Sequence, residues 1–305
     1  MEDKGWRGFV LAVETGSLTG AAKRLGVSQP AVSQQLAALE SGLGQQLLVR
    51  SRKGVQLTPA GEIVYQHGLR VLASQAEMQS ALEELSGSVG GRLRVTVNML
   101  FGQAIMGPVL ARLRERHPGL RIDVLATDQV LDLEAEGVDL AVRGGSAGTG
   151  RGMVRRIGMM EGVLVATPAY LDSVGRPSGP SDLVRLSYVQ YRDDPEERQI
   201  AMAYAEGTLE IPVTPAFSAQ HPDLTLHAMC SGLGFAKSPL FFILDRLESG
   251  VLEEVLPGYR PVPKPIYLVT REHLRDTPNV RAFRTALAEQ LSATPGFLLS
   301  SDLTA

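Results

Sequence analysis

The stretch "LTGAAKRLGVSQPAVSQQLAAL", from Leu18 to Leu39, predicts two helices joined by a tight turn. The first helix begins at Leu18. It ends at Leu25, because the next residue is Gly26 and glycine commonly terminates helices. The second helix begins directly afterwards, with Ser28 as its N-cap. Two helices joined by a three-residue turn that contains glycine form a helix-turn-helix.

The second of these helices has one apolar stripe and, opposite it, a face of small and polar residues. Val32, Leu36 and Leu39 recur at i, i+4 and i+7, which predicts that they are buried. On the opposite face, Gln34 can donate and accept hydrogen bonds at an adenine edge, and Pro30 can contact a thymine methyl group. Backbone N–H groups at the start of the helix favour a phosphate. The residues of this helix that we expect to contact DNA are Ser28, Gln29, Pro30, Ser33 and Gln34.

The segment "LLVRSRKGVQLT", Leu47 to Thr58, predicts a β-hairpin with a glycine at its turn. Its tip carries the cations Arg50, Arg52 and Lys53. Such a run of charge is also typical of a solvated loop, but directly after a helix-turn-helix it favours a basic wing that holds DNA phosphates or a minor groove. Residues 1–61 contain seven Lys or Arg and four Asp or Glu, a formal charge of +3 in a chain of −3. Polyanion binding is therefore expected here.

A long helix is predicted from "TPAGE" to about residue 86, with Thr58 as N-cap and Pro59 in the first helical position. Apolar residues recur along it every seven residues, and a further apolar residue lies three positions before the last of them. This seam favours dimerisation, although a helix packed on its own domain is the alternative. The residues of the seam are Val64, Val71, Met78, Leu82 and Leu85. The segment "SGSVGG", residues 86–91, has the composition of a hinge.

From Arg92 onward, strand and helix patterns alternate, which predicts α/β layers on a mainly parallel sheet. The predicted strands are "LRVTVNM", "LRIDVLAT", "VDLAVR", "MVRRIGMM", "EGVLVATPAYL", "LSYVQY", "PVTPAFSA" and "PIYLVT". The predicted helices are "GQAIMGPVLARLRERHPG", "VLDLEAEG", "PDLTLHAMCSGLG" and "TPNVRAFRTALAEQLS".

The stretch from Phe9 to Glu62, "FVLAVETGSLTGAAKRLGVSQPAVSQQLAALESGLGQQLLVRSRKGVQLTPAGE", resembles the N-terminal signature of LysR-type transcriptional regulators. The resemblance implies an N-terminal winged helix-turn-helix (residues 1–58), a linker helix and hinge that dimerise (59–91), and a C-terminal two-lobed, periplasmic-binding-protein-like α/β effector domain (92–305). Members of this family are commonly homotetramers that sense a small molecule and switch transcription. Many relatives carry arginine where this chain has Gln34, and phenylalanine and glutamate where it has Leu48 and Val49.

In such an effector domain the chain crosses between the lobes twice, and we expect these crossings near 166–168 and near 268–270. Lobe one is then 92–166 and 269–305, and lobe two is 167–268. Ligands of open α/β sheets bind at the carboxyl ends of strands. The effector-binding residues expected on that basis are Asn98, Phe101, Gly102, Gln103, Thr127, Asp128, Arg143, Gly144, Gln220 and His221.

Several of the polar residues at these strand ends have an alternative role. Asn98, Thr127 and His221 can cap the helices that follow them. Arg143 can form a surface ion pair, but if it faces the cleft it favours a carboxylate or another anion. Lys237 is either solvated or part of the cleft.

Other classes of protein are poorly supported by the sequence. Cys230 alone cannot build a disulfide framework, and it is either a small buried side chain or a redox sensor. No apolar run approaches the ~18 residues of a membrane span, and the N-terminus is a poor signal peptide, so we expect a cytoplasmic protein. "GSAGTGRG", residues 145–152, imitates a nucleotide P-loop, but Arg151 and Gly152 stand where that motif needs Lys and then Ser or Thr after its last glycine. No metal-ligand or nucleophile spacing occurs either, so we expect no enzyme, catalytic residue, metal or cofactor.

The leading hypothesis is therefore a ligand-responsive transcription regulator. Two subunits read a pseudo-palindromic site in double-stranded DNA, and an effector in the cleft alters DNA bending or the contact with RNA polymerase. The alternative is a small-molecule-binding protein with a vestigial DNA-binding head.

Overall fold

The computed structural model describes residues 3–51, 54–85, 88–148, 152–191 and 199–300 of the chain. The chain forms two compact units, Met1–Ser86 and Gly87–Ala305, and their division falls within the segment 86–91 that has a hinge composition. Across the described ranges, none of the helices has both the length and the apolar character that crossing a membrane requires.

The N-terminal unit contains the predicted helix-turn-helix, wing and long helix. Gly26 has the left-handed backbone (φ 67°) that ends the first helix of the pair, and the Ser28 side chain accepts a hydrogen bond from the Ala31 backbone N–H at 3.4 Å. The Thr58 hydroxyl accepts one from the Gly61 N–H at 2.9 Å and so caps the long helix. The elements of this unit are α1 (Asp3–Thr15), α2 (Leu18–Leu25), α3 (Gln29–Leu43), β1 (Leu48–Ser51), β2 (Gly54–Leu57) and α4 (Pro59–Leu85).

The core of this unit is built on the predicted apolar stripe of α3. Val32, Leu36 and Leu39 are no more than 5% exposed, and they pack with Phe9 of α1 and Ala21 of α2. Full burial of each large side chain contributes roughly 1.5–3 kcal/mol. Because this stripe faces the core, the opposite face of α3 is turned toward solvent.

The first lobe of the C-terminal unit is built on a sheet in the order β16-β6-β15-β5-β3-β4. Its elements are β3 (Gly91–Val97), α5 (Met99–Ala104), α6 (Met106–Arg116), β4 (Leu120–Ala126), β5 (Leu140–Gly144), β6 (Met153–Met160), β15 (Lys264–Thr270), a short 3-10 helix (Glu272–Leu274), α10 (Pro278–Ser292) and β16 (Phe297–Leu299).

The second lobe is built on a sheet in the order β11-β8-β12-β7-β13, with a smaller sheet in the order β10-β9-β14. Its elements are β7 (Gly162–Ala166), α7 (Pro168–Val174), a 3-10 helix (Pro180–Arg185), β8 (Tyr188–Tyr191), β9 (Gln199–Tyr204), β10 (Gly207–Pro212), β11 (Pro215–Ala219), α8 (Pro222–Cys230), β12 (Phe235–Pro239), α9 (Leu240–Glu248), β13 (Glu253–Glu254) and β14 (Arg260–Pro261).

The expectation of a mainly parallel sheet is wrong, because both large sheets are mixed. In the first lobe β3 is parallel to β4 and β5, but β15 is antiparallel to β5 and β6. The physical reason is the path of the chain. β15 carries the chain back from the second lobe, so its first residues lie beside the last residues of β5 and β6. It therefore runs in the opposite direction to both.

The crossings between the lobes lie earlier in the chain than expected. β6 belongs to the first lobe and β7 to the second, so the first crossing is at residue 161 rather than near 166–168. The second crossing is at residues 262–263, between β14 and β15, rather than near 268–270. The residues on either side of each crossing belong to strands, because their backbone N–H and C=O groups need hydrogen-bond partners within one sheet.

Three of the predicted elements differ locally. The helix predicted in "GQAIMGPVLARLRERHPG" is two helices that meet at Ile105. "VLDLEAEG" forms a turn in which the Asp132 carboxylate accepts hydrogen bonds from two backbone N–H groups, rather than a helix. "EGVLVATPAYL" is a strand followed by a helix, because Thr167 caps α7 and Pro168 opens it. The hairpin of β9 and β10 was not predicted.

Candidate nucleic-acid interface and ligand cleft

The predicted reading face of α3 lies on the surface of the N-terminal unit. Ser28, Gln29, Pro30 and Gln34 are exposed, whereas Ser33 is half-buried. No residue of this face carries a charge. A face of this kind contributes hydrogen bonds and methyl contacts to base edges rather than general attraction to phosphates.

The wing is held at the end of α3 by a carboxylate. Glu40 accepts hydrogen bonds from the backbone N–H groups of Leu47 at 2.7 Å and of Leu48 at 3.2 Å. On the other strand, the Val55 N–H donates to the carbonyl of Gly16, in the turn before α2, at 2.9 Å. The hairpin is therefore fixed next to the helix-turn-helix at both of its strands.

Of the three cations of the wing, only Arg50 lies within the residues that the structure describes. Arg50 lies in β1, in register with Val55 of β2. Arg52 and Lys53 lie outside the described residues. Gly54 follows them with φ 111°, a backbone conformation that favours glycine, and a Cβ there would lie 2.5 Å from the Gly16 carbonyl oxygen. The wing thus approaches this turn too closely for a side chain at residue 54.

The predicted seam of α4 is partly open to solvent within its unit. Val71 is 46% exposed and Met78 is 57% exposed. Val64 is half-buried and packs against the N-terminal core, so it serves the unit itself. The side chains of Leu82 and Leu85 lie outside the described part of the chain.

The two lobes of the C-terminal unit enclose a cavity of about 630 Å³. This volume is typical of small-molecule sites, which measure roughly 300–1,000 Å³. Half of the effector-binding candidates line it, and these are Asn98, Phe101, Asp128, Arg143 and Gly144. The others lie outside the lining, and these are Gly102, Gln103, Thr127, Gln220 and His221.

Asp128 is the centre of a hydrogen-bond network at the first-lobe wall of the cavity. Its carboxylate accepts from the Asn98 side-chain amide at 3.2 Å and from the Met99 backbone N–H at 3.0 Å. The side-chain oxygen Oδ1 of Asn98 in turn accepts from the Gly144 N–H at 2.7 Å. Asn98 occupies the N-cap position of α5, but its side chain makes no capping hydrogen bond. Asp128, in the loop that follows β4, caps the helix instead through the Met99 N–H.

Side-chain hydrogen bonds between described residues join the lobes across the cleft, as two pairs illustrate. The Tyr191 hydroxyl, at the end of β8, donates to the Asp128 carboxylate. The Gln103 side-chain amide, in α5, donates to Asp223 in the first turn of α8. Gln103, which was predicted to contact the effector, thus bridges the lobes.

Arg143 is a buried cation rather than a member of a surface ion pair. It is 4% exposed, and its guanidinium donates to the Thr127 carbonyl and, at 2.9 Å, to the Thr96 hydroxyl. Burial lowers the pKa of Arg143, and the nearby Asp128 carboxylate opposes this shift. The first-lobe wall of the cavity therefore holds a desolvated arginine beside a carboxylate.

The remaining candidates have structural roles or face solvent. A Cβ on Gly102 would lie 2.8 Å from that of Ala126, so this glycine lets α5 pack closely on β4. Thr127 accepts from the Gln129 N–H at 3.2 Å. Gln220 and His221 are exposed, and the His221 side chain makes no capping bond although the residue is the N-cap of α8. Lys237 does line the cavity.

The sequence prediction missed several residues of the lining, notably Tyr191, Met160, Lys264 and the prolines at 261, 263 and 265. Earlier placement of the lobe crossings would have found Met160, Lys264 and the prolines, whereas Tyr191 lies at the end of β8, away from both crossings. The proline cluster "PVPKP", residues 261–265, is the signal that was available, because proline interrupts the hydrogen bonding of a strand.

Cys230 is partly buried, and burial raises the pKa of its thiol. A thiol of raised pKa is a weak nucleophile at neutral pH.

Family models match both units of the chain. A model described as "Bacterial regulatory helix-turn-helix protein, lysR family" matches residues 4–62. A second, described as "LysR substrate binding domain", matches residues 86–292.

Curated proteins and solved structures are similar to this chain over most of its length, and three of them serve as examples. The "HTH-type transcriptional activator AaeR" of Escherichia coli (strain K12) is 31% identical over 265 residues, which are 87% of this chain and 85% of that protein. The "HTH-type transcriptional regulator PtxR" of Pseudomonas aeruginosa is 30% identical over 302 residues, 96% of this chain and 94% of that protein. The full-length structure of the Vibrio cholerae virulence activator AphB, a member of the LTTR protein family, has a TM-score of 0.63 and 25% identity, and the match covers 95% of this chain and 99% of that chain.

Proposed function

The chain belongs to the LysR family of transcriptional regulators, and from this premise we propose how its residues divide the work of regulation. The family membership confirms the resemblance seen at residues 9–62 and the predicted fold class. The chain has a DNA-binding head and an effector-binding domain, so the alternative of a vestigial head is not favoured.

In our proposal α3 enters the major groove and discriminates between bases. Gln34 and Pro30 contact base edges, with Ser33 at the margin, and Ser28 and Gln29 contact phosphate. Arg50, Arg52 and Lys53 of the wing supply salt-dependent affinity for the backbone. The observation that carries this proposal is the uncharged, exposed face of α3 beside a wing that Glu40 holds in place.

The same proposal covers the assembly and its partners. Two chains pair through α4 and read a pseudo-palindromic site, and two dimers form a homotetramer. The protein acts in the cytoplasm and without catalysis of its own. The names of its relatives, a transcriptional activator and a transcriptional regulator, support the second of these points. A small molecule binds in the cavity between the lobes and changes DNA bending or the contact with RNA polymerase. It does so by binding one arrangement of the protein more tightly than another.

The test of the proposed function is binding of the full chain to the DNA upstream of its own gene, by fluorescence anisotropy at low salt. We expect specific binding that weakens steeply as salt is added. Folded protein that does not bind this DNA, or that binds it no better than a scrambled duplex, would contradict the proposal.

Replacing Gln34 by alanine should weaken binding to the best site by about 1–3 kcal/mol and relax the preference at one base pair. The reason is that a side chain that both donates and accepts at a base edge is lost. Anisotropy on a set of single-base variants of the site measures this effect. Ser41→Ala, an exposed position near the other end of α3, is the matched control and should change nothing. Equal weakening on all sequences would mean that Gln34 does not read a base.

Replacing Met78 by glutamate should raise the dimer dissociation constant roughly ten- to a hundredfold, because it brings two like charges into an apolar seam. Sedimentation velocity over a dilution series measures the change. Gln66→Glu adds the same charge at an exposed position on the other side of α4 and should leave the constant near its starting value. Comparable dissociation in the two variants would place the interface elsewhere.

A further inference from the structure

The cations around the cavity outnumber the acids. Among the described residues that line it, Arg143, Lys237 and Lys264 are cations, whereas Asp128 and Glu161 are acids. The formal charge of this lining is therefore +1. A cavity with low-dielectric walls concentrates such a charge imbalance on whatever it encloses.

Both acids already lie near cations of the protein itself. Asp128 accepts hydrogen bonds from Asn98, Met99 and Tyr191, and it also interacts with the charge of Arg143. Outside the lining, the hydrogen bond with Glu254 is the main cause that raises the pKa of Arg260, and the nearby charge of Glu161 adds a smaller effect. An anionic ligand would therefore meet, at Asp128, a carboxylate that already accepts hydrogen bonds from the protein's own groups.

The remaining walls are largely apolar, and the polar and apolar parts meet at two glycines. A Cβ on Gly144 would lie 3.4 Å from the Met160 methyl carbon, 3.5 Å from the Phe101 ring and 3.9 Å from the side-chain oxygen Oδ1 of Asn98. A Cβ on the adjacent Gly145 would lie 3.6 Å from the Lys264 Cδ. A ligand seated on this pair touches an aromatic ring, a thioether and the stem of a cation together.

We propose that the cavity binds an organic carboxylate of single negative charge whose apolar body is one or two aromatic rings in size. This inference rests on the proposed function, since it names the chemical class of the effector. The net charge of the described lining matches a monoanion, whereas a phosphate monoester brings about two charges and an organic cation meets a wall of its own sign. The apolar side chains supply the contact area that binds the rings.

The experiment uses the full chain and four probes that share one ring system: 2-naphthoate, 2-naphthamide, 2-naphthyl phosphate and 2-naphthylmethylammonium. Isothermal titration calorimetry measures each. We expect naphthoate to bind about tenfold or more tightly than its neutral amide, since a charge interaction in a partly desolvated site reaches that size. The phosphate and the ammonium should bind more weakly than the carboxylate.

Two variants locate the binding. Lys264→Met removes the charge but keeps an unbranched stem beside Gly145, so naphthoate should weaken about tenfold while naphthamide changes less than about twofold. Gly144→Ala adds one methyl group at ordinary contact distance from Met160 and Phe101. The binding of naphthoate and that of naphthamide should therefore weaken by a similar factor. Thermal unfolding of each variant verifies that it is folded.

Several results would overturn the inference. One is that the amide, the ammonium or the phosphate binds as tightly as the carboxylate. Another is that no probe binds, and a third is that the Lys264→Met variant binds naphthoate as tightly as the unchanged protein does. DNA binding of the same preparation is measured in parallel. Its presence shows that only the ligand class is wrong, whereas its absence is the failure of the proposed function itself.

Discussion

Replacing Gly61 by alanine is expected to lower the free energy of unfolding of the N-terminal unit by about 3 kcal/mol or more. The reason is a close approach of two backbone segments. A Cβ on Gly61 would overlap the carbonyl oxygen of Leu47. That oxygen also accepts the N–H of Thr58 at 3.0 Å and the Thr58 hydroxyl at 3.3 Å. The segment cannot shift without breaking the junction between wing and long helix.

The measurement follows Trp6 fluorescence during urea unfolding, because Trp6 is the one tryptophan of the sequence and lies in α1. DNA binding should be lost with the stability. Gly42→Ala is the matched control, since Gly42 lies in α3 with nothing within 4 Å of its would-be Cβ. There the loss of backbone freedom should stabilise the unit by roughly 0.5–1 kcal/mol. Equal stability of the two variants would disprove the steric argument.

Replacing Asp128 by alanine is expected to destabilise the C-terminal unit by about 2–4 kcal/mol. The change leaves the Asn98 amide, the Met99 N–H and the Tyr191 hydroxyl without their acceptor. It also removes the carboxylate beside the buried guanidinium of Arg143. Asp128→Asn keeps one acceptor oxygen and should lose less.

Amide hydrogen exchange of α5 and β5 measures this loss, because global unfolding of a chain of two units is not a two-state process. Asp123→Ala is the matched control. Asp123 lies in β4 and forms an ion pair with Arg92 in which both side chains are about half exposed. Removal of that pair should cost less than about 1 kcal/mol. If the two alanine variants exchange alike, Asp128 does not hold this part of the cleft together.

Much of the N-terminal unit follows from local sequence. Gly26, Ser28 and Thr58 act on the backbone within a few residues of themselves, so the ends of the helices can be read without knowing the fold. The apolar period of α3 identifies its buried side, and therefore its exposed one. The role of Glu40 in holding the wing could not be inferred in this way, because its partners lie seven and eight residues later in a different element.

The effector domain follows from the sequence only in outline. Alternating strands and helices predicted α/β layers, whereas the division into two lobes was implied only by the family resemblance. The rule of strand ends selected Asn98, Asp128 and Arg143, which line the cavity.

Tertiary structure alone decided the direction of β15, the positions of the crossings, and the pairing of Tyr191 with Asp128 and of Gln103 with Asp223. These contacts join residues 63 and 120 positions apart. Secondary structure arises from interactions between near neighbours in the chain, whereas the cleft exists only where two lobes meet. No local pattern records which distant side chains will face each other there.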